Sequence, residues 1–170
     1  DGEGWFWRCP NLDTERDPDA LRFELLPDGD HGLRHPDLGS VQEEFNVAPL
    51  GDRGLVCVYR TTRGFPAVAR SVDGGRSWTA PEPMRYAPGG AVVRNPRACP
   101  KIWRTSAGRY LFWFHHHGGT DFHGRNPAWL IGGVERDGAL RWSQPEVVLY
   151  GEDRSYATGR FSYPDLIEQD

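Results

Sequence analysis

Residues 71–81 read Ser-Val-Asp-Gly-Gly-Arg-Ser-Trp-Thr-Ala-Pro, SVDGGRSWTAP. An aspartate ahead of paired glycines is turn chemistry. The carboxylate accepts hydrogen bonds from turn amides, and glycine supplies the positive φ that a side chain resists. The tryptophan that follows is large enough to fold over such a turn and fill the space beside it. The wider stretch ARSVDGGRSWTAPEPM (69–84) aligns without gaps on GVERDGALRWSQPEVV (133–148). Asp73 falls on Asp137, Gly74 on Gly138, Trp78 on Trp142, Pro81 on Pro145 and Glu82 on Glu146, all 64 residues apart. Pro100 and Pro164 keep the same offset. Agreement on these residue types in one register marks an internal repeat.

Strand-like segments fill the period. They are Phe45–Leu50, Leu55–Thr61, Ala67–Ser71, Ala98–Trp103, Tyr110–His115, Trp129–Val134, Pro145–Tyr150 and Phe161–Ile167. Each is short, apolar or alternating, and bounded by Gly, Pro or Asp. No helical periodicity competes with them after residue 45, and LRFELL (21–26) also reads as strand. Abundant glycine (21) and proline (14), with seven Trp, six Tyr and eight Phe, agree with many turns between aromatic-rich strands. Four strands per period predict an all-β chain, the blades of a β-propeller. Residues 1–44 are expected to end one blade, 45–84 and 96–150 to form two more, and 160–170 to begin another. A propeller closes with typically 4–8 blades, so the expectation is a fragment of a larger ring.

Composition excludes several functions. With 20 Lys+Arg against 24 Asp+Glu, interspersed, the net charge is −4 and there is no basic stretch for nucleic acid. No apolar run approaches the roughly 20 residues of a membrane helix. Three cysteines (Cys9, Cys57, Cys99) lie in no metal spacing and suggest buried or free thiols. His115, His116, His117 and His123 invite a zinc reading. Alternation on a strand sends His116 to the opposite side from His115 and His117, and a glycine pair follows. Polar lining of a pocket is the better reading, and no cofactor or metal is expected.

Ser71, Asp73, Gly75 and Trp78 fill every fixed position of S-x-D-x-G-x-x-W. This resembles the Asp-box of sialidases (neuraminidases) and related BNR-repeat propellers. Segments such as EEFNVAPL, LVCVYRTTRGFP, YLFWFHHHGG, RNPAWLIGG, RWSQPEVVLY and RFSYPDLIE look like bacterial sialidase-like propellers over about residues 25–170. The resemblance implies a six-bladed ring, secreted or periplasmic, that removes a terminal acidic or polar sugar from glycans. It also implies three arginines, an Asp acid/base and a Tyr assisted by a Glu. The box itself is scaffold: it joins third to outer strand, on the face opposite the expected pocket.

The loops on the pocket face, 60–66, 85–98, 115–128 and 151–162, carry Arg60, Arg63, Arg85, Arg94, Arg97, Arg125, Arg154 and Arg160. Guanidinium groups clamp a carboxylate with paired hydrogen bonds. Candidates for binding an anionic sugar are Arg60, Arg94, Arg97, Arg125, Arg160 and His117, with Arg97 and Arg160 foremost. For the family's first arginine, Arg8-Cys9-Pro10 has the R-x-P pattern. Asp121, then Asp165, are candidate acid/bases. Tyr163 and Tyr156 are candidate nucleophiles, with Glu44 as partner. A Tyr suits such a substrate because a carboxylate nucleophile would face the sugar's own anion. Two other readings stay open: a non-catalytic Asp-box propeller that binds glycans or proteins, and a glycosidase using Asp121 and Asp165 as paired carboxylates.

Overall fold

The computed structural model describes residues 2–38, 44–153, 155 and 159–169. The chain is all-β. Strands β1 (Phe6–Arg8) and β2 (Glu24–Leu26) form an antiparallel pair. A four-stranded antiparallel meander follows: β3 (Phe45–Leu50), β4 (Gly54–Tyr59), β5 (Ala67–Ser71) and β6 (Glu82–Pro83). A second meander holds β7 (Lys101–Arg104), β8 (Tyr110–Phe114) and β9 (Ala128–Arg136), and its outer edge is split into β10 (Ala139–Trp142) and β11 (Glu146–Leu149). Among the described residues, helix is confined to single turns at Pro18–Ala20 and Pro36–Leu38, so no helix is long and apolar enough to cross a membrane.

Side-chain alternation explains the stacking. In β4, Val56 and Val58 point one way, Cys57 and Tyr59 the other, and all four are buried. The first pair joins Val68, Ile102, Phe112, Phe114 and Ile131 in the core between the two meanders. The second pair joins Ala67, Ala69, Leu33 and Leu38, with Phe6, Phe45 and Trp78 packed alongside, in the core toward β1–β2. The central meander is therefore covered on both faces. The outer faces of the assembly are apolar yet open: Trp7 is 70% exposed and Phe23 60%, and at the other end Val147, Val148 and Leu149 are exposed.

The SVDGGRSW turn closes on itself. Ser71 Oγ donates to Asp73 Oδ1 at 2.7 Å and accepts from the Gly75 amide at 2.8 Å. Asp73 also accepts from the amide and the hydroxyl of Ser77. Trp78 Nε1 donates to the Gly75 carbonyl at 3.1 Å while its ring packs on Phe6 of the preceding sheet, 5.5 Å away. Gly74 and Gly75 have φ of 73° and 93°, where a side chain would be strained.

The 64-residue partner is built differently. Glu135 and Ala139 stand where the first copy has Ser71 and Gly75, so the wrapping hydroxyl and second glycine are absent. Asp137 and Gly138, both at positive φ, instead make a two-residue hairpin between β9 and β10. What the copies share lies just beyond. Thr79 N donates to the Arg70 carbonyl and Thr79 Oγ1 accepts from Arg70 N. Ser143 makes the same pair of bonds to Gly132. A hydroxyl residue thus clips each outer edge to its third strand.

One strand expectation fails. Residues 161–169 form no ladder, because no neighbouring strand among the described residues offers them backbone partners. The segment is held by side chains instead, with Glu168 accepting from Ser106 N and Oγ at 2.9 Å each.

Ser77 first, through its hydroxyl and amide, then Ser71, hold the Asp73 carboxyl well below the usual carboxylate range. A folded pKa below the unfolded one gives stability that is present above about pH 4 and lost as pH falls toward the folded value. Asp73→Asn is therefore expected to lower the melting temperature at pH 7, with the gap to wild type closing below pH 4. A gap independent of pH would show that the carboxylate's charge does not hold the turn.

Candidate active site

The β3–β4 and β4–β5 registers pair Phe45 with Tyr59 with Ala67 at one end of the central meander, and Leu55 with Ser71 at the other. The box closes the Ser71 end. The loops after β4, before β7 and after β8 gather at the Tyr59 end. Asn95 N donates to the Gly64 carbonyl at 3.0 Å, His115 N to Asn95 Oδ1 at 2.9 Å, and Arg97 N to the Asp121 carbonyl at 2.7 Å. Gly64 lies so close to Gly118 that a Cβ would meet its carbonyl oxygen at 2.5 Å.

Glu44, immediately before β3, is the centre of this end. Its Oε2 lies 2.8 Å from Arg60 Nη1, with side chains only 12% and 10% exposed. Its Oε1 accepts from the Tyr163 hydroxyl at 2.7 Å. Arg125 Nη1 donates to Ser162 Oγ at 3.0 Å and Nη2 to the Arg97 carbonyl at 3.2 Å, while Phe161 N donates to the Arg125 carbonyl at 3.0 Å. Arg60, Arg97, Arg125, Glu44 and Tyr163 are thereby joined in one constellation around Cys99, whose buried thiol is pushed up to about 11 by desolvation and then by Glu44.

Tyr163 is exposed, and its φ of 57° is unusual for a bulky side chain. Such a conformation costs about 1–2 kcal/mol and persists where the surroundings over-determine it. Its bond to Glu44 chiefly raises the phenol's pKa, with desolvation second. Tyr163 is thus neutral at pH 7, its hydroxyl directed at Glu44.

Other candidates lie further out. Asp121 is exposed, and its carboxyl is held down by the bond to His123, 3.1 Å away. Ionised in this way, it is a proton acceptor rather than a donor. Asp165 Oδ1 accepts the amide of Leu166, and no contact among the described residues joins Asp165 to Glu44 or Asp121. Arg160 is exposed and lines a cleft of about 280 Å³ with Phe122, His123 and Arg125. Arg94 is exposed beside His116 and Gly118. Arg8 is at the wrong end: its guanidinium lies against Gly74 of the box and near Glu24, so the R-x-P pattern does not bring it to Glu44. Arg154 and Tyr156 lie outside the described residues.

The histidines hold loops. His117 Nδ1 accepts the Gly119 amide and Nε2 donates to the Gly124 carbonyl at 2.8 Å. His115 is buried, bonds the Pro127 carbonyl and is pushed down to about 4 by desolvation, so it stays neutral. His116 packs on Trp129, ring centroids 4.9 Å apart. Among the described residues no His, Cys, Asp and Glu side chains group as metal ligands.

Sequence reasoning overlooked the two asparagines that build these loops. Buried Asn95 donates to the Pro96 and Ala98 carbonyls. Asn126 donates to the Gly151 and Asp153 carbonyls and accepts the Gly151 amide. The signal was present as a repeated tripeptide, Arg94-Asn95-Pro96 and Arg125-Asn126-Pro127.

No family model and no curated protein matches the sequence. Among solved structures, the chain is similar to a mutant NanB sialidase from Streptococcus pneumoniae, at 17% identity and a TM-score of 0.49. The match covers 61% of this chain and 16% of that one.

Proposed function

We propose that the chain is part of a six-bladed, sialidase-type β-propeller and contributes to a glycoside hydrolase that releases a terminal acidic sugar. The architecture is supported by the two stacked meanders and the complete Asp-box turn. It is supported too by the open apolar faces at both ends, which further sheets would cover. The chemistry rests on one observation, the 2.7 Å bond from the Tyr163 hydroxyl to Glu44 beside Arg60.

In the proposed reaction, Arg97 and Arg125 attract the sugar carboxylate to the Tyr163 side of the site. Glu44 takes the phenol proton as the phenolate oxygen bonds to the anomeric carbon and the leaving-group oxygen departs with the electron pair of the glycosidic bond. Water then attacks the same carbon, Asp121 accepts the water's proton, and the Tyr163 oxygen leaves and recovers its proton from Glu44. The proton on Asp121 passes finally to the departed oxygen. Because Asp121 is held ionised, the first step favours a leaving group that needs no protonation.

A fluorogenic aryl sialoside is therefore the first substrate to assay, beside a panel of neutral aryl glycosides. Turnover of the sialoside alone is expected. Arg125→Ala should raise KM on the order of 100-fold with a smaller change in kcat, as loss of a charge-assisted clamp does. Turnover of no glycoside, with glycan binding retained, would overturn the hydrolase and leave a binding propeller.

A further inference from the structure

We infer that Glu168 is a positioning residue for Tyr163, acting from the opposite end of the sheet through its grip on Ser106; the inference rests on the catalytic reading of Tyr163 given above. Ser106 lies in the turn between β7 and β8, whereas Arg97, whose carbonyl accepts from Arg125 at the site, lies before β7 begins. With Tyr163 bonded to Glu44 and Glu168 to Ser106, the segment runs from the site to the back of the sheet, and its five residue steps span at most about 18 Å.

Along this path no backbone ladder among the described residues sets the register. A slip of the segment by one residue would carry the Tyr163 hydroxyl out of reach of Glu44. The register is fixed at its two ends. Near the site, Phe161 N donates to the Arg125 carbonyl and Ser162 Oγ accepts from Arg125. At the back, both carboxylate oxygens of Glu168 accept from Ser106 N, at 2.9 and 3.2 Å, and Oε1 also accepts from Ser106 Oγ at 2.9 Å. Between the pins Tyr163 stands at positive φ, a conformation that relaxes once either end is free.

The same device occurs one sheet earlier. Gly51, in the turn between β3 and β4, donates its amide to Glu135 Oε2 at 2.9 Å. In both cases a glutamate from later in the chain caps a backbone N–H of the preceding inner hairpin. Such a link fixes one sheet against the next, which a ladder within a single sheet does not do.

The test measures Tyr163 itself. Its ionisation is followed by ultraviolet difference titration against Tyr163→Phe, in the wild-type and Glu168→Ala backgrounds. In wild type the bond to Glu44 keeps the phenol's pKa raised; in Glu168→Ala it should return toward the ordinary tyrosine value. Turnover of the aryl sialoside should fall about tenfold in kcat with KM little changed, the pattern of a misplaced reacting group. Glu168→Gln, which keeps an acceptor oxygen for the Ser106 amide, should restore most of both. An unmoved Tyr163 titration in Glu168→Ala overturns the inference, whatever the activity. A shifted titration in a protein that hydrolyses no sialoside sustains the positioning and overturns the hydrolase reading.

Discussion

Tyr163→Phe is expected to lower kcat on an aryl sialoside by on the order of 10³-fold or more, with KM and thermal stability nearly unchanged. The substitution removes one oxygen from an exposed ring and leaves the packing alone. It deletes the donor of the 2.7 Å bond to Glu44, which in the proposed reaction is also the attacking atom. Loss of a nucleophile removes stabilisation made only in the transition state, so kcat and kcat/KM fall together. Glu44→Gln separates the roles: an amide still accepts from the phenol but cannot take its proton. Its kcat should fall nearly as far. A Tyr163→Phe enzyme that keeps a tenth of its rate would rule out covalent catalysis by this residue.

The scaffold was easier to read in the sequence than the site was. Strand period, Gly/Pro punctuation and the box are local signals, and each corresponds to a strand or turn near its expected place. The failures share a cause. The gapless 64-residue alignment equated Ser71 with Glu135 by position, although only a hydroxyl at that point can wrap the turn. It paired Thr79 with Ser143, 64 residues apart, but their equivalence lies in bonds to Arg70 and Gly132, which are 62 apart. Phe161–Ile167 has a strand's composition, but a ladder needs a partner, and composition does not supply one. Arg8 fitted a three-residue pattern and proved to lie at the box end. By contrast, the approach of Tyr163 to Glu44 spans 119 residues of sequence and depends on loop clamps at Asn95 and Asn126. Periodicity carries no information about such a contact.

Arg60→Ala is expected to destabilise the protein by about 3–5 kcal/mol, the cost of leaving one member of a buried ion pair without its partner. A typical domain has roughly 5–15 kcal/mol in total, so the variant should unfold at markedly lower temperature and urea concentration. Had the pair been exposed, the loss would be about 1 kcal/mol or less, and that result would refute its burial. The pair is not built for stability, however. Beyond the ion pair itself, neither Glu44 Oε2 nor the buried Arg60 Nε has a hydrogen bond of good geometry among the described residues. Desolvation is therefore incompletely offset, and a pair of apolar side chains of similar volume should serve the fold as well. Arg60→Met combined with Glu44→Leu is expected to recover most of the stability lost by Arg60→Ala, and so to show strong coupling in a double-mutant cycle. The recovered protein should still fail to turn over the sialoside, since no base faces Tyr163. In the proposed reaction, fold and chemistry then part company at one buried contact, where Arg60 holds the Glu44 carboxylate aimed at the Tyr163 hydroxyl. If the apolar pair restores stability and leaves activity intact, Glu44 takes no part in the chemistry.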